Sequence, residues 1–468
     1  MKRNIFFGLA AGIASVTSAV AAGTPVLAAR ASSTASVEAV TISGNGVVAF
    51  YKGSERFYIR GVDYQPGGGT GVTSDPISNA TACKRDIKYF SELGINTIRV
   101  YAVDNTADHD ECMNALADAG IYLVLDTDTP LYSLNRNEPK KSYNSVYLQS
   151  VFATIDKFAN YTNTLAFLSG NEVINDVNNT DCAPYVKAIV RDMKQYIGSR
   201  GYRSIPVGYS AADVESNQHI LAEYLNCGTD DERSDFYSIN DYSWCDPSSY
   251  TTSGWDTLVK NYTGYSIPLF MSEFGCITNT RKFTEIAALY SDDMTPVFSG
   301  GLVYEYSNEG NGYGLVDITD GVVTTTDQYD YLLAAYKNTT NPTGDGGATT
   351  TTGSASTCPT ESSDWDVSGD ALPAIPTPAE KYMTEGAGTG PGLDGAGSQE
   401  AGDSENESQG TATAGSGEVT YTASSGSSTS TSTKKSSSAA GRHAEVDMKA
   451  FGVVVVSLAG MFAGMMLI

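Results

Sequence analysis

Between Val37 and Asn338 eight strand-like apolar segments alternate with helix-like ones, and this alternation restricts the fold more than any other feature of the chain. The strand segments are Phe57–Asp63, Thr97–Val103, Ile121–Asp126, Leu165–Asn171, Ile205–Tyr209, Phe236–Asp241, Ile267–Glu273 and Gly300–Tyr306. Helical patterns fall among them at Cys83–Leu93, Glu111–Ala119, Val146–Asn160, Ala183–Gly198, Thr284–Tyr290 and Gln328–Lys337. A strand, a crossover helix and a parallel strand make one βαβ unit. Eight such units predict an α/β fold, a closed (β/α)8 TIM barrel over 37–340, with an open doubly wound sheet as the alternative.

Neither end of the chain belongs to that core. Met1-Lys2-Arg3, the apolar stretch through Ala14 and the small residues Ala19–Ala22 have the three zones of a secretory signal peptide, expected to be removed as 1–22. A membrane-spanning anchor is disfavoured there because the apolar segment is short. At the other end, small residues at Ser436–Gly441, a polar spacer Arg442–Lys449 and an apolar tail Ala450–Ile468 follow the order of a GPI-attachment signal, expected to be removed as 439–468. A single-pass anchor is the alternative, but no basic segment follows Ile468 to orient it. From Asn341 onward the composition turns to Thr, Ser, Gly and Ala. The part containing Cys358 and Trp365, 341–365, is expected to be tied back to the barrel by a disulfide, and 366–438 to be a flexible, O-glycosylated linker. Secretion and tethering to the outer face of the plasma membrane follow from these two ends.

The net charge of −25 opposes binding to nucleic acid. Seven cysteines in a secreted chain imply disulfides with one thiol left over, and spacing alone leaves the pairs open. None has CxxC spacing, and three histidines in all argue against a catalytic metal cluster. No metal and no organic cofactor are expected. Sequons at Asn79, Asn160, Asn178, Asn261, Asn338 and Asn406 fit the secretory route.

Two of the apolar runs, Ala166–Glu172 and Ile267–Glu273, end on a glutamate. In a (β/α)8 barrel the strand C-termini open onto the active site, so Glu172 and Glu273 are expected to face one cleft. Splitting an acetal between sugars needs a proton for the leaving oxygen and an anion for the oxocarbenium-like centre, and two carboxyls supply both. Singly, each glutamate reads as a surface or ion-paired residue; the matched pair favours glycoside chemistry. Asn171, just before Glu172, is placed to hydrogen-bond a sugar hydroxyl, although an Asn before a loop is also ordinary turn chemistry. Tyr101, Tyr242 and Tyr304 lie near other strand ends, where a tyrosine offers a sugar ring an apolar face and a hydroxyl, or simply fills core.

These residues resemble glycoside hydrolase family 72, the fungal GPI-anchored β-1,3-glucanosyltransferases that remodel cell-wall glucan, from about Val37 to Ser363. The likeness is carried by Gly61-Val62-Asp63-Tyr64-Gln65, Arg99-Val100-Tyr101, His109–Met113, Ser169–Val173, Tyr237–Cys245, Ser272–Cys276 and Ser299–Tyr304. The resemblance implies Glu172 as acid/base and Glu273 as nucleophile of a retaining double displacement, with Tyr101, Asn171, Asp213, Tyr242, Tyr304 and Gln65 binding glucan. It also implies the disulfides Cys83–Cys112, Cys227–Cys358 and Cys245–Cys276, leaving Cys182 unpaired. Many relatives have an arginine where this chain has Gln218. Only Cys358 follows Cys276, so the form expected is the short one, without the cysteine-rich glucan-binding module. The partners implied are glucan donor and acceptor chains, acted on by a monomer. A β-1,3-endoglucanase of the same fold and a non-catalytic glucan-binding wall mannoprotein remain as alternatives.

Overall fold

The computed structural model describes residues 37–42, 48–68, 74–348, 353–399, 401 and 411–412. The expected leader 1–22, the C-terminal signal 439–468 and the linker residues 400, 402–410 and 413–438, Asn406 among them, lie outside the described residues.

Eight parallel strands close into a barrel: β1 Ile59–Asp63, β2 Thr97–Val100, β3 Tyr122–Asp126, β4 Thr164–Asn171, β5 Val207–Ala211, β6 Phe236–Asp241, β7 Leu269–Phe274 and β8 Phe298–Val303. Each pairs with its sequence neighbours, and β8 pairs with β1. The TIM barrel expected from the alternation is the fold; the open sheet is excluded by that last pairing. Around it run α1 Ala80–Leu93, α2 Asp110–Asp118, α3 Ser145–Phe158, α4 Ala183–Ser199, α5 Gln218–Leu225, α6 Trp255–Tyr262, α7 Glu285–Leu289 and α8 Asp327–Asn338.

Strands buried on both faces need apolar residues at successive positions, which is why these segments read as runs rather than alternations. Within β3, Tyr122 and Val124 point to the barrel interior, while Leu123 and Leu125 pack toward the helices. At the N-terminal end of the strands the interior is plugged by Phe50 of a small antiparallel sheet. Its ring meets Phe236 and Phe270 at centroid distances of 5.9 Å each. Toward the C-terminal ends the inward residues turn polar: Asp63, Arg99, Asp126, Ser210, Asn240 and Ser272, all buried. A barrel that is apolar at one end and polar at the other positions its chemistry at the polar end.

Two irregularities re-aim the glutamates. The β4–β5 register slips between Leu168 and Asn171, and the β7–β6 register slips between Met271 and Glu273. An extra residue bends a strand and turns the next side chain, a device common beside active sites.

The C-terminal segment departs from expectation. The linker was expected from 366, on the ground that such a composition builds no core. Instead Val367, Leu372, Ile375, Ala379, Tyr382 and Leu393 are buried. They need no core of their own, because α3 and α4 supply the other side of the contact: Tyr382 meets Phe152 edge-on at 6.3 Å, and Arg191 donates to the Pro373 carbonyl at 2.9 Å. Ahead of them Trp365 packs on Tyr224 at 5.3 Å. The packed segment therefore extends to Gln399, well beyond 365.

Candidate active site

Glu273 lies near the end of β7, and the structure surrounds its carboxylate with donors. Tyr101 Oη and Arg99 Nη1 donate to Oε1 at 2.9 and 3.1 Å, and Tyr242 Oη donates to Oε2 at 2.7 Å. Burial pushes its pKa up to about 7, and the nearby Glu172 charge adds to that. Arg99 and the two tyrosine hydrogen bonds act in the opposite direction. All three partners are donors, so the geometry is that of an anion held ready.

Glu172 follows β4 directly and has a left-handed backbone, φ +50°. Asn240 Nδ2 donates to its Oε1 at 2.8 Å. Its backbone N–H is bonded to the Ser210 carbonyl at 2.8 Å, and Arg136 Nη2 donates to its own carbonyl at 2.8 Å. The acid/base candidate is thus fixed at side chain and backbone alike, and the residue is partly exposed where Glu273 is buried.

Beneath the pair runs one polar network. Arg99, fully buried, forks onto Asp126 at 2.9 and 2.8 Å and also donates to Asn171 Oδ1 at 3.0 Å. Asn171 Oδ1 further accepts from Ser210 Oγ at 2.8 Å and Asn240 Nδ2 at 3.1 Å. Three donors on that oxygen fix the amide and turn its NH2 outward as a donor. Ser272 Oγ donates to Asn240 Oδ1 at 2.9 Å and lies 2.9 Å from Ser210 Oγ. A network in which nearly every lone pair is used holds its members in one geometry. Asp63 stands apart: both its oxygens are buried without a hydrogen-bond partner. Burial, opposed by Arg99 and reinforced by Glu273, Asp126 and Glu305, raises its pKa well above the usual carboxylate range.

The remaining expected site residues take different positions. Tyr304 joins an aromatic group, with ring centroids 6.4 Å from Tyr101, 6.3 Å from Tyr242 and 5.2 Å from Tyr313. Gln65 is occupied by backbone: Oε1 accepts from the Tyr101 and Ala102 N–H groups at 3.0 and 3.2 Å, and Nε2 donates to the Ser74 carbonyl at 2.9 Å. Its visible role is to fix the Tyr101 segment. Asp213, pushed up to about 7 by burial and then by the Asp241 charge, accepts from Gln218 Nε2 at 3.0 Å.

Cys83 bonds Cys112, Cys227 bonds Cys358 and Cys245 bonds Cys276. Cys182 is a buried thiol whose Sγ lies 3.2 Å from the Arg136 carbonyl. The last bridge joins the loop after β6, which carries Tyr242, to the loop that follows Glu273 at the end of β7. Among the described residues no group of His, Cys, Asp and Glu could hold a metal ion.

Ser210, Arg136 and Tyr313 were not singled out from the sequence, and Arg99 and Asn240 entered only as part of matching motifs, with no role assigned. For Arg99 a signal existed, since a charge inside a strand buried on both faces is costly unless paired. Arg136 and Tyr313 lie in loops, where nothing in the local pattern marks them.

A glucanosyltransferase family model matches residues 29–340. The 1,3-beta-glucanosyltransferase gel1 of Aspergillus fumigatus is 62% identical over 383 residues, covering 81% of this chain and 84% of that protein. The 1,3-beta-glucanosyltransferase GAS5 of Saccharomyces cerevisiae is 51% identical over 396 residues, covering 83% and 80%. A solved structure of a Saccharomyces cerevisiae Gas2p mutant with laminaritetraose and laminaripentaose superposes with a TM-score of 0.67 at 36% identity, covering 73% of this chain and 75% of that one. The eight-stranded barrel, the family match and these relatives agree, and the chain belongs to the glucanosyltransferase family, glycoside hydrolase family 72.

Proposed function

We propose that the chain is a retaining 1,3-β-glucanosyltransferase in which Glu273 is the nucleophile and Glu172 the acid/base. The observation that carries this reading is the unequal setting of the two carboxyls. Glu273 is buried and takes three donors, whereas Glu172, among the described residues, takes one side-chain donor, Asn240, and stays partly exposed. Glu273 attacks the anomeric carbon of an internal β-1,3 linkage while Glu172 protonates the departing O3. The resulting glucosyl-enzyme is opened by the 3-hydroxyl at the non-reducing end of a second chain, whose proton returns to Glu172. The new bond is again β-1,3, and the acceptor is lengthened.

Asn171 and the tyrosines Tyr101, Tyr242 and Tyr304 bind the donor in this reading, with Asp213 further along the cleft and Gln65 setting the Tyr101 segment. Tyr313 extends the same aromatic wall and offers a second sugar a stacking face. The two chain ends support action outside the cell, through a GPI anchor at the plasma membrane or in the wall, and the acting form in this reading is a monomer.

Incubation with a reduced laminari-oligosaccharide tests the reaction. Products longer than the starting material are expected, and products that are only shorter would leave hydrolysis as the activity. Glu172→Gln and Glu273→Gln should each lower turnover by at least about 10²-fold, the lower end of what a positioned acid–base group contributes. Unchanged turnover in either variant defeats the assignment.

A further inference from the structure

The glycine-rich stretch after the short helix Glu380–Glu385 has the composition of a linker, yet it is fitted against the barrel. Gly392 N–H donates to Asn105 Oδ1 at 3.0 Å, and Asn105 Nδ2 is itself anchored on α3 through the Ser150 carbonyl and Thr154 Oγ1. The approach is close enough to require glycine: a Cβ on Gly390 would lie 2.1 Å from Asn105 Oδ1 and 2.8 Å from the Ala153 methyl. Further on, Ser398 N–H donates to the Leu131 carbonyl at 2.9 Å. The Ser398 carbonyl accepts from Asn144 Nδ2 at 2.7 Å, and Gln399 Nε2 donates to Ser133 Oγ at 3.0 Å.

Leu131, Ser133 and Asn144 belong to the loop between β3 and α3, at the catalytic end of the barrel, and they bracket Arg136 in sequence. Arg136 Nη2 donates to the Glu172 carbonyl at 2.8 Å and Nε to the Val173 carbonyl at 3.1 Å. The backbone it grips is the left-handed one at Glu172, φ +50°, which a non-glycine residue keeps only when its surroundings hold it there. The contacts thus run from the strap to the loop, from the loop to Arg136, and from Arg136 to the backbone of Glu172.

We propose that Gly386–Gln399 is a structural strap of the catalytic domain and that Arg136, held in place by it, is a positioning residue for Glu172. The inference rests on Glu172 being the acid/base. A misplaced acid slows departure of a poor leaving group far more than departure of an activated one, and this separates positioning from general damage. The test uses full-length Gly390→Val, Arg136→Gln, their double variant, Arg136→Lys and Glu172→Gln. Each is assayed on a plain laminari-oligosaccharide and on one carrying a dinitrophenyl leaving group.

Gly390→Val and Arg136→Gln should each lower kcat/KM, which reports formation of the glucosyl-enzyme, on the plain donor by roughly tenfold or more, since small misplacements at a reacting centre have effects of that order. On the activated donor the loss should shrink several-fold. The double variant should be no worse than Arg136→Gln, and Arg136→Lys should recover part of the loss. Equal losses of kcat/KM on both donors, multiplicative losses in the double variant, or a lowered melting temperature with kcat/KM unchanged would each overturn the proposal. If Glu172→Gln itself loses equally on both donors, the acid/base assignment has failed. If Glu172→Gln shows the donor dependence and Gly390→Val does not, only the strap has failed.

Discussion

Glu273 takes its two hydrogen-bonded tyrosines from loops on different strands, so the anion is stabilised by groups that share no local sequence. Burial raises its pKa to about 7 and the Tyr242 hydrogen bond works against that rise. The sign for activity follows directly. On the proposed assignment Glu273 must be ionised to attack, so the acidic limb of the pH–rate profile tracks its deprotonation, within a pair of carboxyls that titrates as a unit. Removing a donor that favours the anion moves the limb to higher pH. Tyr242→Phe should therefore shift the acidic limb of kcat/KM upward. It should also lower kcat/KM about tenfold to a hundredfold, as expected for a lost hydrogen bond to a charged group worth ~1.5–3 kcal/mol. A pH profile of the purified variant checks both, and an unmoved limb would place Tyr242 outside the ionisation. Arg99 belongs to the same argument, stacking at 4.3 Å on Tyr101 while it bonds Glu273, Asp126 and Asn171.

At the scale of elements, the loops at the two ends of the barrel have separate duties. The Cys227–Cys358 bridge follows α5, at the end of the barrel remote from the glutamates, and closes a sequence separation of 131 residues. Its replacement by serines should lower the melting temperature, corresponding to about 2–5 kcal/mol, with kcat per folded molecule retained. The Cys245–Cys276 bridge ties the loops of Tyr242 and Glu273, so its loss should lower kcat even where the protein remains folded. Thermal melts paired with active-site-normalised rates distinguish the two, and equal effects on kcat would contradict this division. All eight strands were legible in the sequence, because burial on both faces leaves uninterrupted apolar runs. The helices α5 and α6, eight residues each, were not among the helical patterns read from the sequence. The strap was misread for a different reason: its few apolar residues pack on surfaces of α3 and α4 that are distant in sequence. Glu172 and Glu273 were legible as strand-end carboxylates. The network beneath them was not, because Ser210, Asn240 and Ser272 acquire their role only when three strands meet.

For the molecule as a whole, the net charge of −25 combines with buried carboxyls whose pKa values are raised by desolvation. Glu273, Asp213 and Asp128 are pushed up to about 7, and Glu285 and Glu305 to about 8. Each binds its proton more tightly folded than unfolded, where carboxyls titrate at ~4. The stabilisation is therefore full below that value and is lost as pH rises through about 7 to 8. Self-repulsion of the acidic surface acts in the same direction. The melting temperature should fall steadily from pH 5 to pH 8, and calorimetry showing a flat or rising trend would contradict this. All of this serves one arrangement, two carboxyls from distant strands meeting at the polar end of a closed barrel. Peptide mass spectrometry after reaction with an activated 2-deoxy-2-fluoro laminari-oligosaccharide tests that arrangement most directly, because the fluorine slows breakdown of a covalent glycosyl-enzyme. The account predicts a glycosyl adduct on Glu273, and an adduct on another residue, or none while the reagent is consumed, would contradict it.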